Sequence, residues 1–453
     1  MSALFWQWTI LVAFGLFFLL VSPFARTVTE FFRAASKSGK PPGTIMLTSS
    51  LVIAWIFAKS ITNAANLGLE YGIVGGLSYA GYYLSFLTGG VMLYRLRTRG
   101  KFDSIHHFLR SKYGSSAVRL FTLLIVFRLY NEVWSNTMVI GSYFGAAGSS
   151  NYYLAIIVFT ALILGYTLKG GLRTSLITDA IQMGFFAILL CILLVFILPK
   201  SHYSATGYLN SGEWTMRGGL GLLFTALIQV FSYPFHDPIL TDRAFISSPK
   251  TTLRSYLAAT IIGITCILLF SFIGIFGKSE GLQGQASVEV SKMLGTGVML
   301  MMNLIMITSA ASCIDSTFTS FSKLVVVDIG RFQAKPISIG RWCMILLAVL
   351  GTIPVFFNAN ILSATTISGT MVIGLAPVFI FWNKAMPKRS FQLSVLCGVF
   401  AGLVLAFHLY PKFLVWFDGK YGELLSINIL GSILCFSVFF LPLAFRYGND
   451  QAD

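Results

Sequence analysis

Long apolar runs separated by short polar connections repeat from residue 4 to residue 445. A helix that crosses a bilayer needs ~20 mostly apolar residues. Thirteen runs meet that requirement, at 4–22, 46–67, 72–95, 119–147, 152–168, 173–198, 219–241, 254–277, 296–327, 340–358, 361–383, 391–409 and 427–445. The pattern predicts an all-α polytopic membrane protein with 13 transmembrane helices in a single domain over residues 1–453. No linker or low-complexity tract marks a separate soluble domain. The first run has no basic flank before it and is followed by Ser22-Pro23, so it reads as an anchor and not a removable leader.

Two runs are interrupted. The second carries the polar stretch Lys59-Ser60-Ile61-Thr62-Asn63-Ala64-Ala65-Asn66, and the seventh carries Tyr233-Pro234-Phe235-His236-Asp237-Pro238. Proline removes an amide donor and clashes with the preceding turn. Broken backbone at membrane depth is tolerated only where protein or a water-filled cavity satisfies it. Four intact runs separate the interrupted ones, so 46–198 and 219–383 form two five-helix units, and the odd number inverts the second. Run 4–22 is then an extra N-terminal helix, and 391–445 supplies two extra C-terminal helices. An inverted 5+5 repeat whose first helices are both discontinuous is the LeuT-type architecture, with ligands held near the midplane at the breaks. Break position alone carries this repeat, because the halves share no convincing residue-level similarity.

Composition agrees with the bilayer as solvent: 56% of residues are apolar, 11% are charged, and 41 are Phe. The formal charge of +16 points away from nucleic acid once its distribution is considered. With an external N-terminus, 24 of the 32 Lys and Arg fall in internal segments, six fall outside, and Lys59 and Arg128 lie within runs. Cytoplasmic loops carry such an excess, so the expected topology is N-out/C-in. The six cysteines sit in apolar runs without metal-ligand or CxxC spacing, which argues against structural disulfides and against a transition metal. Short loops suit a bacterial inner membrane.

Ionisable groups in hydrocarbon cost ~2.5–3.5 kcal/mol on insertion scales and are read as functional by default. Here they are Lys59, Arg128, Glu132, Asp179, His236, Asp237 and Asp315. Ser309, Ser312 and Ser316 recur at helical spacing around Asp315, offering oxygens to a hard cation; the same stripe also suits close helix packing. Asp179 could pair with Arg173, and Arg128 with Glu132 four residues on. His236 and Asp237 lie between prolines, where they could line a cavity or form an internal cap. Lys59 could snorkel away or bind an anionic solute.

Four stretches resemble the sodium:solute symporter family. They are Gly170-Gly171-Leu172 leading to Thr178-Asp179-Ala180-Ile181-Gln182; the segment ending Asp242-Arg243-Ala244-Phe245; the Ser-rich stretch 309–328; and 58–71 leading to Gly72-Ile73. The resemblance implies a sodium site from Ala58 and Ile61 carbonyls with Ser309, Ser312 and Cys313. It also implies a second cation site from Asp179, Ser312, Asp315 and Ser316. Two departures stand out: Cys313 replaces a hydroxyl residue, and a thiol is a poor sodium ligand, while Asp315 adds a carboxylate.

The expected function is a sodium-coupled secondary active symporter that imports a small polar or charged organic solute by alternating access. Sodium is the coupling ion, a proton is possible, and no cofactor is expected. Candidate solute contacts are Lys59, Asn63, Asn66, Glu132, His236 and Asp237. The alternatives are a proton-coupled symporter of the same fold, a membrane-embedded enzyme using His236 and Asp237, and a transporter-like sensor.

Overall fold

Lipid offers no hydrogen bonds to the backbone, so apolar runs of this length close their hydrogen bonds internally as helices. The computed structural model describes residues 3–330, 335–357 and 361–449. Among the described residues every regular element is helical. In chain order the principal helices are α1 (Ala3–Val21), α2 (Thr44–Trp55), α3 (Ala58–Ala80), α4 (Ser85–Thr98), α5 (Ile105–Phe144), α6 (Ser150–Ile197) and α7 (Gly221–Gln229). There follow α8 (Pro238–Ala244), α9 (Pro249–Ser279), α10 (Thr296–Lys323), α11 (Pro336–Thr352), α12 (Ile361–Met371), α13 (Leu375–Ile380), α14 (Lys388–Ala406) and α15 (Gly422–Asn449). Seven helical spans among the described residues are long and apolar enough to cross a membrane, or eight when α2 and the helix that follows it count as one bent span. The protein is an integral, multi-pass membrane protein.

Among the described residues three of the principal helices are not single rods, and α5 is one of them, broken at Gly114 with φ +81°. Gly72 in α3 has φ +62° and Gly171 in α6 has φ +56°, and each marks a point where the helix breaks and restarts. A Cβ at Gly72 would stand 2.3 Å from the Ser211 carbonyl oxygen, so both the dihedral and the space require glycine. The breaks at Gly72 and Gly171 fall at the gaps between runs 46–67 and 72–95, and between 152–168 and 173–198.

The first interrupted helix breaks earlier than the polar stretch suggested. The bend of 60° lies between α2 and α3, at Ile56 and Phe57, whereas Lys59 through Asn66 are helical. Lys59, Ser60 and Asn63 keep their helix because neighbouring side chains in the bundle satisfy them, and all three are buried. The extended backbone at Phe57 (ψ 149°) starts α3, and its carbonyl accepts from the Ser60 and Ile61 amides at 2.8 and 3.0 Å.

The second interruption is where the prolines predict it. α7 ends at Gln229, residues Tyr233–His236 form a single tight turn, and α8 starts at Pro238. Asp237 caps α8 by accepting the Ile239 amide at 3.0 Å. The two breaks are in contact: the Trp55 indole donates to Asp237 at 2.8 Å. α10 lies against the first break, where the Ser309 hydroxyl donates to the Ile56 carbonyl.

Candidate functional site

Four charged side chains fill the space between the breaks, and all are buried. Lys59 reaches Glu132 at 2.6 Å and the Ser135 hydroxyl at 3.2 Å. Arg128 pairs with Glu132 one turn along α5 and with Asp237 at 2.8 Å. Phe57 roofs both cations, 4.9 Å from the Lys59 ammonium and 5.4 Å from the Arg128 guanidinium. The pairing of Arg128 with Glu132 expected from spacing is thus one part of a neutral four-member network tying α3, α5 and the second break together. Two basic groups face two carboxylates, so Lys59 is held inside a balanced set of charges.

A second cluster lies on the other side of α10. Asp179 accepts hydroxyl hydrogens from Ser50 and Ser312 and the Arg243 guanidinium at 3.1 Å. Arg243 also donates to Ser50 at 2.6 Å, to the Ile239 carbonyl at 2.9 Å and to Ser316 at 2.6 Å. Its side chain is fully buried, although the basic-residue count placed it in an internal connection. The pairing of Asp179 with Arg173 does not form: Arg173 sits 3.0 Å from Glu30 instead. Arg243 wins because α8, unlike a straight continuation of α7, turns back into the bundle at the second break.

Asp315 is different from every other carboxylate around the breaks. It is fully buried and meets only hydroxyls: Ser175 at 2.7 Å, Tyr166 at 2.9 Å, Thr178 at 3.0 Å and Ser316 at 3.3 Å. Around the breaks, Lys59, Arg128 and Arg243 face Glu132, Asp237, Asp179 and Asp315, so three positive groups meet four acidic ones. An isolated buried carboxylate carries a penalty of several kcal/mol. Asp315 is the one of the four acidic groups that no basic side chain meets among the described residues.

Two spaces adjoin the first break. A cavity of about 670 Å³ is lined by Thr62, Asn63, Asn66 and Met138, with Glu70 and Lys420 at its rim. One turn further in, a chamber of about 20 Å³ is enclosed by Trp55, Phe57, Ser60, Tyr79, Tyr82, Tyr83 and Tyr233. Tyr79 separates the two spaces: its hydroxyl contacts Ser60 at 3.1 Å and accepts from Asn63 at 3.3 Å. The Tyr82 hydroxyl is buried without a hydrogen-bond partner. Of the candidate solute contacts, Asn63 and Asn66 line the larger cavity, and Asn66 also caps the helix Ala286–Met293 by accepting the Ala286 amide at 2.9 Å. His236 lines neither space: its Nδ1 lies 2.6 Å from the Tyr233 carbonyl, its ring packs edge-on against Tyr233, and its Nε2 is buried unpartnered.

No protein-family model matches the chain. It is 22% identical to a urea-proton symporter, DUR3, of Oryza sativa subsp. japonica, over 98% of this chain and 72% of that protein. It is 24% identical to sodium/myo-inositol cotransporter 2 of Bos taurus, over 78% of this chain and 63% of that one. The chain thus spans about two thirds of the length of these curated relatives. A Na+-coupled sialic acid symporter, solved in a substrate-bound outward-open state, superposes with a TM-score of 0.72 at 14% identity, over 97% of this chain and 96% of that one. The chain shares the fold of that solved symporter and is similar in sequence to named symporters.

In this chain the residues implied for sodium are distributed over separate contacts. Ser309 bonds the Ile56 carbonyl, Ser312 bonds Asp179, and Cys313 accepts from Asn136 at 3.3 Å while its thiol faces Glu132 at 3.6 Å. Ala58 and Ile61 occupy the first turn of α3 beside them. Ser316 joins the second set, linking Arg243 to Asp315. The named relatives are transporters, and the groups of the enzyme reading are engaged elsewhere: Asp237 is committed to Arg128, Trp55 and the α8 cap, and the His236 Nδ1 lies on the Tyr233 carbonyl. Sequence reading missed Arg243 as an intramembrane charge and the tyrosine chamber altogether. The signal for the first was its place five residues after a proline that restarts a helix; the tyrosines carried none, since aromatic residues abound in this chain.

Proposed function

We propose that this protein is a secondary active symporter of 13 transmembrane helices, N-out/C-in, which takes up a small uncharged polar solute with a proton carried on Asp315. The observation that carries the coupling is the unmatched carboxylate. The Thr178 hydroxyl has one hydrogen and three claims on it, the Thr174 and Ser175 carbonyls at 3.1 and 2.9 Å and Asp315 at 3.0 Å. Helical threonines commonly bond back to the preceding turn, which leaves Asp315 to donate, as a protonated acid does. Hydroxyls already saturate both carboxyl oxygens at bonding distance, so a sodium ion would have to displace them.

The solute class follows from the chamber. Its walls are aromatic, its polar groups are hydroxyls and the nearby charges neutralise one another; at about 20 Å³ it holds no more than water as it stands, so a solute enters only when Tyr79 and its neighbours move apart. Urea, the solute in the name of the rice relative, is small, uncharged and polar. Entry runs from the 670 Å³ cavity past Asn63 and Tyr79.

Sodium coupling is the second reading, favoured by the oxygens of Ile56, Ser309 and Ser312 gathered at the first break. In proteoliposomes, labelled urea should accumulate under an inward proton gradient in sodium-free buffer. Accumulation only under a sodium gradient would support the second reading, and no urea uptake under either gradient would reject the solute class.

A further inference from the structure

The surface of the bundle carries an apolar slot that the transport reading does not use. Its volume is about 370 Å³, and it is walled by Leu87, Val91 and Met92 of α4 with Phe231 and Phe235 of the second break. Leu87 and Phe231 are 38% and 47% exposed. Thr88, the one neutral polar side chain there, is already bonded to the Val230 carbonyl at 2.5 Å. The only charge in the lining is Arg95, at the end of α4 where Arg97, Arg99 and Lys101 also gather.

Arg95 and Arg97 are used differently. Arg97 spends its guanidinium on the Ala244 and Ser247 carbonyls and the Thr252 hydroxyl, at 2.5, 2.6 and 3.0 Å. Arg95 is exposed and makes no side-chain hydrogen bond or ion pair among the described residues. Leu87 and Arg95 are eight residues apart, ~12 Å along a helix. A long apolar trough that ends in one free guanidinium at the basic side of a membrane protein has the shape and charge of a site for an amphiphile with an anionic head.

We infer that this slot binds an anionic phospholipid, its phosphate on Arg95 and one acyl chain along α4 against Phe231 and Phe235. Free phosphate fails to fit, because the rest of the slot is apolar. Basic residues at the membrane surface attract anionic headgroups by ~1 kcal/mol each, and the buried chain adds apolar contact. The lipid would adjoin the second break: Phe235 stacks on Phe379 at 3.9 Å, and Gly89 of α4 lies against Pro234. A bound chain therefore braces the second break in the arrangement seen here.

The full-length protein in nanodiscs of phosphatidylcholine, with and without added phosphatidylglycerol, tests this. Phosphatidylglycerol should raise the melting temperature in proportion to its content, and native mass spectrometry should detect one retained phosphatidylglycerol. Arg95→Ala and Val91→Trp should each lose both effects while melting like wild type in pure phosphatidylcholine, and Arg95→Lys should keep part of them. Equal phosphatidylglycerol stabilisation in wild type and Arg95→Ala would overturn the inference, as would retention of the lipid by Val91→Trp. If Val91→Trp fails to fold, the Arg95 pair of variants decides alone.

Discussion

Asp315 and Arg243 meet on one hydroxyl: Ser316 accepts from the guanidinium at 2.6 Å and lies 3.3 Å from the carboxyl group. Arg243 is at the same time the cation of Asp179, 3.1 Å away, and a ligand of Ser50 on α2. Under the proposed coupling, proton occupancy of Asp315 is thereby linked to a contact that joins α2, α6, α8 and α10. When Asp315 is neutral, Arg243 belongs to Asp179. Loss of the proton gives the guanidinium a second carboxylate to satisfy and weakens its hold on Asp179 and Ser50, which loosens the first broken helix from α10.

Asp315→Asn keeps a group of the same shape among the four hydroxyls and removes the proton. Exchange of labelled urea for unlabelled urea across the membrane should persist, and accumulation against a gradient should be lost. Counterflow and gradient-driven uptake, run on the same vesicles, check this pair of outcomes. Accumulation at the wild-type level by the variant would remove Asp315 from the coupling step.

Arg243→Ala leaves the Asp179 carboxylate buried without its cation. Breaking a buried pair in this way costs ~3–5 kcal/mol, and the thermal midpoint in detergent should fall accordingly. Arg243→Lys should recover part of the loss, since an ammonium replaces the charge but not the four-way hydrogen bonding of the guanidinium.

The network of Lys59, Arg128, Glu132 and Asp237 predicts non-additive mutations. Lys59→Met leaves one excess carboxylate, Glu132→Gln leaves one excess cation, and the double variant returns to a neutral Arg128–Asp237 pair at 2.8 Å. The double variant should therefore be more stable than either single one, the signature of coupling in a double-mutant cycle. Additive losses would show that the four charges do not act as one unit.

Tyr82→Phe removes the one chamber hydroxyl without an internal partner. Urea KM should rise about 2–10-fold, matching ~0.5–1.5 kcal/mol for a hydrogen bond, with stability unchanged. An unchanged KM with full transport would place the solute elsewhere.

Much of the fold was legible in the sequence because membrane helices announce themselves by length and apolarity, and prolines 234 and 238 marked the second break. The first break was displaced because polarity was read as unwinding. Lys59 and Asn63 remain helical since Glu132, Ser135 and Tyr79 come from elsewhere in the bundle to meet them. Asp179 and Asp315 stood out as intramembrane acids, yet their different roles depend on which residue brings a cation. Arg243 reaches Asp179 only because α8 folds back, and nothing comparable reaches Asp315. Such pairing is a property of the packed bundle and leaves no trace in local spacing.

The central claim is that solute and proton move together through Asp315. Purified protein in sodium-free proteoliposomes loaded with a pH-sensitive dye tests it directly when urea is added outside. Internal acidification on urea addition, absent in Asp315→Asn, is the predicted result. Urea entry with no change in internal pH, or entry that begins only when sodium is supplied, would contradict it.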